Sequence, residues 1–337
     1  MEKLIITDVT LRDGSHGISH QLRATDIAKY CQAAESSGVP IVEVGHGNGL
    51  GASSALIGFS LISDEAMLIA ARENLRETKL GIHAIPGLAT RKRDLQQAVE
   101  IGVDSFRIAS HCTEADTTKK HIEFVRSAGK EAVGVLMMSH MASAKVLGEQ
   151  AKLMVEYGAT SILIMDSAGT YLPEDVSERI EVLFHETGVA VGFHAHNNLG
   201  MGIANNLAAI KAGATKLDGC ARGLGAGAGN AQIEVLVPVL HKYGYETGIN
   251  QIDLLDAADI ADENFAGVGP TITSLSLISG LNGVFSGFVK PVVAASKEYG
   301  VDAKEIFLEL GRRRVVAGQE NLIVEVAQEL LQRDSTL

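Results

Sequence analysis

The sequence predicts an α/β fold, a (β/α)8 barrel followed by a small all-helical C-terminal domain, and three observations carry that prediction. Eight short β-branched runs recur along the first part of the chain, with helical patterns between them. The runs are nearly continuous in apolar residues instead of alternating, as parallel strands covered on both faces are. After Gly248 the alternation stops, and only helical patterns remain. An open, doubly wound sheet is the structural rival. It is disfavoured because eight consecutive units suit a closed barrel and no G-x-G-x-x-G opens a helix after the first strand.

In chain order the predicted strands are Leu4–Val9, Ile41–Val44, Leu80–Ile85, Ser105–Ala109, Ala132–Met137, Ser161–Met165, Ala190–His194 and Thr215–Gly219. Between them, Ser63-Asp64-Glu65, Thr113-Glu114 and Pro173-Glu174-Asp175 are helix starts, since hydroxyls, carboxylates and proline satisfy or tolerate the unpaired N–H groups there. Gly38, Gly102, Gly129, Gly158, Gly188 and Gly213 stand where helices stop. Beyond the barrel, Gln251–Asn264, Lys290–Tyr299, Ala303–Val315 and Gln319–Gln332 read as helices. Gly267-Val268-Gly269-Pro270 has the chemistry of a linker or lid, and Ser279-Gly280-Leu281-Asn282-Gly283 reads as a second flexible stretch. The predicted division is residues 1–262 for the barrel and 263–337 for the helical domain.

Composition narrows the function. A net charge of −12 leaves no basic surplus to neutralise phosphates, which argues against nucleic-acid binding. No run approaches the roughly 18 apolar residues of a membrane-spanning helix. Met1-Glu2-Lys3 leads directly into a strand-like run, so a cytoplasmic location is expected. Cys31, Cys112 and Cys220 are far apart and form no C-x-x-C pair, against both a disulfide framework and a structural zinc site.

In such a barrel, reactive groups belong at the C-terminal ends of strands. The first strand runs into Thr10-Leu11-Arg12-Asp13-Gly14-Ser15-His16, which gathers a cation, a carboxylate and an imidazole around a glycine. The seventh runs into His194-Ala195-His196-Asn197-Asn198. Residues two apart on a strand share a face, so both histidines can look into the barrel mouth. Asp13 comes from the strand that closes the barrel against the eighth. Two neutral imidazoles and a carboxylate with open positions suit Mn²⁺, Mg²⁺, Fe²⁺ or Co²⁺ better than a sulfur-seeking ion. An H-x-H on a strand is by itself commonly incidental; it is the second ionic cluster at another strand end that favours a metal. Arg12 is either a fixed donor in the mouth or a surface partner of Asp13.

Given a metal there, a 2-oxo acid would chelate it through carboxylate and keto oxygens, and the ion would stabilise an enolate. Arg12 would add a positive donor at that oxygen, and His16 would be the base for a substrate hydroxyl, with His20 as the rival base. Asp166-Ser167 ends the sixth strand. Asp166 is a candidate to orient a ligand histidine, and Ser167 is a candidate substrate contact. Gly223–Asn230 either cradles an anion at a helix N-terminus or packs closely beside the metal. His111-Cys112, His140 and Met137-Met138 either line the pocket or pack in the core, and nothing marks Cys112 as a nucleophile.

These residues carry a resemblance. The segments Thr7–His16, His111–Asp116, Leu136–Met141, His194–Leu199 and Gly225–Ala231 resemble the 4-hydroxy-2-oxovalerate aldolase family over nearly the whole chain. Gly318–Ala327 is similar to that family's C-terminal communication domain, which docks an acylating acetaldehyde dehydrogenase. The resemblance implies a class II pyruvate aldolase that cleaves 4-hydroxy-2-oxopentanoate to pyruvate and acetaldehyde. It implies Asp13, His194 and His196 as ligands, usually of Mn²⁺, with Mg²⁺ or Co²⁺ as substitutes, Arg12 as enolate stabiliser and His16 as base. The family commonly has a tyrosine in the lid where this chain reads Gly283-Val284-Phe285-Ser286. Phe285 keeps the ring at the substrate without its hydroxyl, so weak discrimination between C4 enantiomers is expected. The first and seventh motifs alone are shared with acyl-CoA condensing enzymes and lyases, which are the first rival. A non-catalytic scaffold for a dehydrogenase is the second, and a two-His, one-carboxylate iron oxygenase the third.

Overall fold

The structure is a computed structural model that describes residues 3–267 and 269–334. Met1, Glu2 and Val268, the last of these in the expected linker, lie outside the described residues. Eight parallel strands close into a barrel in sequence order: β1 Ile5–Asp8, β2 Ile41–Glu43, β3 Lys79–Ala84, β4 Ser105–His111, β5 Glu131–Met137, β6 Ser161–Asp166, β7 Ala190–Ala195 and β8 Lys216–Gly219. The seam is made by Thr7 opposite Asp218 and Asp8 opposite Gly219. The intervening helices are α1 Ala24–Ser37, α2 Asp64–Arg72, α3 Gln96–Ile101, α4 Lys119–Ser127, α5 Ala144–Glu156, α6 Pro173–Thr187, α7 Gly202–Lys211 and α8 Ile233–Lys242. Ser63 and Ser143 cap α2 and α5 through their side chains, while Gly38, Gly102 and Gly188 end α1, α3 and α6 in the left-handed region.

Packing explains the continuous apolar runs. Side chains facing outward from the strands, among them Ile6, Val42, Phe106 and Phe193, are buried against the helix ring. The inward side chains are of two kinds. Ala109, Val133, Val135, Leu163 and Met165 form an apolar wall on the β4–β6 side. Other inward positions carry charges, which in this setting must be paired: Lys216 donates to Glu131 at 2.6 Å, and one layer further up Arg107 grips Asp218 with two hydrogen bonds of 2.6 Å.

α9 Gln251–Ala261 packs into the barrel core, and the C-terminal region comprises α10 Ser274–Leu281, α11 Val289–Tyr299, α12 Ala303–Arg313 and α13 Asn321–Asp334. Its later helices bury their own cluster, including Phe288, Val292, Phe307, Leu310 and Val326, separate from the barrel core. One expectation is corrected here. Ser279–Leu281 is not a flexible stretch but the last turn of α10, which is started by Thr273 and Ser276 capping each other's backbone N–H groups. Two glycines mislead because Ser279 and Gly280 are buried, and a small residue there lets the helix approach Asn198 and Leu199 closely. The domain is fastened over the mouth by Ser286 N–H to Ser167 O, at 3.0 Å, and by contacts of His140 with Gly283 O and of Lys290 with His16 O. No helix among the described residues is long and apolar enough to cross a membrane.

Candidate metal centre and active site

The chain leaves β1 at Asp8 and passes through a turn at 9–12 into a single 3-10 turn, Asp13–His16. That turn decides the first question the sequence left open. On an extended chain Arg12 and Asp13 would point apart, but here both are buried and Arg12 Nη1 donates to Asp13. Arg12 Nε donates to Glu43 at 2.7 Å, so the guanidinium is fixed from the neighbouring strand, and its Nη2 has no hydrogen-bond partner. Arg12 is not a surface residue.

The donor atoms of Asp13, His194 and His196 lie within 4.8 Å of one another, and all three residues are buried. His194 Nε2 stands 3.8 Å from Asp13 Oδ2 and, like His196 Nδ1, makes no hydrogen bond. Two orphaned imidazole nitrogens facing a carboxylate are costly to bury unless something meets them. A divalent cation with mixed N and O preference fits this set, and no thiol lies in the group. The carboxylate is oriented from its other side, because Asn230 Nδ2 donates to Asp13 Oδ1 at 2.8 Å. Burial would raise the Asp13 carboxyl, but Arg12 and the histidines outweigh it and hold it well below the ordinary 3.8. Burial drives His196 down to about 3, so it is neutral and available as a ligand.

The residue orienting His194 was misassigned from the sequence. Asp166 is instead spent on the backbone N–H groups of Thr170 and Tyr171, at 3.0 Å each, and burial raises it to about 6. Asp218 takes the role: His194 Nδ1–H donates to its Oδ2 at 2.8 Å. The reason is register. Asp166 lies opposite Ala195, one residue off, so the two side chains that would have to meet point to different faces. Glu43, Arg107 and Asp218, which link Arg12 to His194 beneath the site, were all missed. Charged residues inside predicted strands, where only apolar ones are expected, were the available signal.

A cavity of about 340 Å³ opens above the triad. Arg12, Asp13, His196, His16, Ser167 and Phe285 all line it, so the predicted residues converge. His111, Met137 and Met138 line it too, whereas His140 is engaged with Gly283 and Cys112 is buried. Ser167 Oγ accepts the Met138 N–H at 3.0 Å. The two candidate bases are placed differently. His16 lines this cavity; His20 does not, being hydrogen-bonded to Ser15 Oγ at 3.0 Å and stacked on His46 at 3.7 Å. His16 is lowered from 6.5, chiefly by burial. The Gly223–Asn230 loop is the close-packed alternative: a Cβ on Gly225 would fall 2.4 Å from Asn230 Nδ2 and 3.2 Å from Asp13 Oδ1, so only glycine lets Asn230 reach the carboxylate. Val316 and Ala317 close the cavity from the C-terminal region.

Comparison with known proteins agrees with this arrangement. Residues 3–261 match the HMGL-like family, and residues 270–332 match the DmpG-like communication domain. The chain is 58% identical to a 4-hydroxy-2-oxovalerate aldolase of Pectobacterium atrosepticum, over 99% of this chain and 97% of that one. It is also 58% identical to one from Spirochaeta aurantia, covering 98% and 97%. Among solved structures, the carboxyl transferase domain of Rhizobium etli pyruvate carboxylase superposes with a TM-score of 0.83 at 16% identity, over 98% of this chain and 60% of that one, a likeness of fold.

Proposed function

The chain belongs to the HMGL-like family and, within it, to the 4-hydroxy-2-oxovalerate aldolases, and from that premise we propose that it cleaves 4-hydroxy-2-oxopentanoate, or a closely related 4-hydroxy-2-oxo acid, to pyruvate and an aldehyde. The observation that carries this reading is the convergence on one cavity of Asp13 and His196, with the unpaired His194 Nε2 beneath them, beside an arginine with a spare N–H and the imidazole of His16.

Asp13, His194 and His196 would hold a divalent cation, Mn²⁺ first, with Mg²⁺ or Co²⁺ as substitutes. When bound, such a cation polarises a 2-oxo group and lowers the cost of negative charge on its oxygen. Arg12 contributes a fixed donor for the same charge: Glu43 and Asp13 lock the guanidinium, and Nη2 remains free to donate. His16, half-buried and lowered below 6.5, is neutral near pH 7 and takes the proton of the C4 hydroxyl. As the C3–C4 bond breaks, its electron pair moves to C3 and is delocalised as the pyruvate enolate, and C4 leaves as an aldehyde. Return of the proton to C3 completes pyruvate. Ser167 has accepted a backbone N–H and keeps its own O–H for the substrate, and Phe285 forms an apolar wall that excludes water.

On this reading residues 1–262 are the catalytic barrel and residues 263–337 a lid that docks an acylating acetaldehyde dehydrogenase; the match of residues 270–332 to the DmpG-like communication domain supports it. The test is pyruvate release from 4-hydroxy-2-oxopentanoate, coupled to lactate dehydrogenase, in Mn²⁺ and in EDTA. Metal-dependent release is expected. No release, or thiol release from acetyl-CoA with 2-oxo acids, would replace the aldolase by a condensing enzyme.

A further inference from the structure

His83 belongs to no part of the mechanism above, yet it lines the same cavity. It sits near the end of β3, opposite Arg107 of β4, and is 2% exposed. Its Nδ1 is buried without a hydrogen-bond partner. Burial, together with the charges of Arg12 and Arg107, keeps the imidazole neutral, so it offers one N–H and one lone pair. Of the other side chains lining the cavity, Ile85, Met165 and Phe285 bring no hydrogen-bonding atom to it.

We propose that His83 is a substrate-binding residue that hydrogen-bonds an oxygen carried by the aldehyde fragment, so that the enzyme favours 4-hydroxy-2-oxo acids bearing a further hydroxyl at C5. This rests on the aldolase reading and deepens it. A methyl group set against His83 leaves a buried nitrogen unpaired, whereas a hydroxymethyl group pairs it. A site with a built-in hydrogen-bonding group rejects the analogue that lacks the complement. Ser167 and Arg12 already serve the oxo-acid end, and Phe285 brings no polar atom to the other.

The experiment compares kcat/KM for racemic 4,5-dihydroxy-2-oxopentanoate and racemic 4-hydroxy-2-oxopentanoate, both followed as pyruvate release. The unaltered enzyme is expected to cleave the dihydroxy acid at least as efficiently. In His83→Leu that ratio should drop about tenfold, the usual worth of a neutral hydrogen bond to a buried group. In His83→Asn, whose amide takes the place of Nδ1, most of the ratio should return. A tenfold or larger preference of the unaltered enzyme for the methyl-bearing acid overturns the proposal, with no variant needed. So does a ratio that His83→Leu leaves unchanged because both substrates decline in parallel. Absence of turnover with both acids is a different result: it removes the aldolase reading itself.

Discussion

His194 Nδ1 and Asp218 Oδ2 lie 2.8 Å apart inside the barrel, and that contact leaves His194 Nε2 as the atom facing Asp13. The Asp218 carboxylate is in turn held by Arg107, whose charge outweighs burial and keeps it ionised far below the ordinary carboxylate range. The tautomer of His194 is therefore set two residues away from the site, by an arginine on β4.

Replacing Asp218 with asparagine keeps the shape and removes the charge. Affinity for Mn²⁺, measured by titration with electron paramagnetic resonance detection, should weaken roughly 10–100-fold, the usual effect of losing the partner of a ligand histidine. An unaltered affinity would mean that His194 is not oriented through this bond.

Asp13→Ala removes the carboxylate that His194 and His196 face. Mn²⁺ should no longer stimulate cleavage, and the metal-induced rise in thermal midpoint of the unaltered protein should disappear, since an ion that binds only the folded state stabilises it. Scanning fluorimetry with and without Mn²⁺ gives the second readout independently of activity.

His16→Ala should slow cleavage by roughly 10²–10⁴-fold, the range for removing a general base. Exchange of the pyruvate methyl protons, which does not require deprotonation of a C4 hydroxyl, is expected to survive in deuterated buffer. The pH dependence follows from the same residue. A base works when neutral, and burial lowers His16 from 6.5, so kcat/KM should be flat near pH 7 and fall on acidification only below about pH 6.5. The variant should lack that acid limb.

Phe285→Tyr restores a hydroxyl to the cavity wall. The unaltered enzyme should consume both C4 enantiomers of a racemic substrate to near completion, while the variant should leave one largely unused, as seen by chiral chromatography of the residue. Strict single-enantiomer turnover by the unaltered enzyme would show that Phe285 is not the point of discrimination.

Much of this molecule was legible before folding. Strand order and barrel closure followed from eight apolar runs with helical spacing, because each run is buried on both faces and so carries its signal locally. Arg12, Asp13, His16, His194 and His196 stood out because strand ends are where a barrel places chemistry, and polar clusters there have no packing role to explain them. The helical C-terminal region was legible for the same local reason, although α10 was not, since its buried serine and glycine resemble a loop unless the surface they pack against is known.

Tertiary structure alone decided the rest. Asp166 and Asp218 are each a single aspartate in a β-strand, and no local pattern says which one reaches His194; register across the barrel does. Likewise Arg12 acquires its direction from Glu43, His20 is withdrawn from the cavity by Ser15 and His46, and His83 Nδ1 is buried where no hydrogen-bond partner meets it. Periodicity is a property of neighbours along the chain and survives in the sequence. The pairing of buried charges depends on neighbours across space, and its geometry comes into being only when the barrel closes.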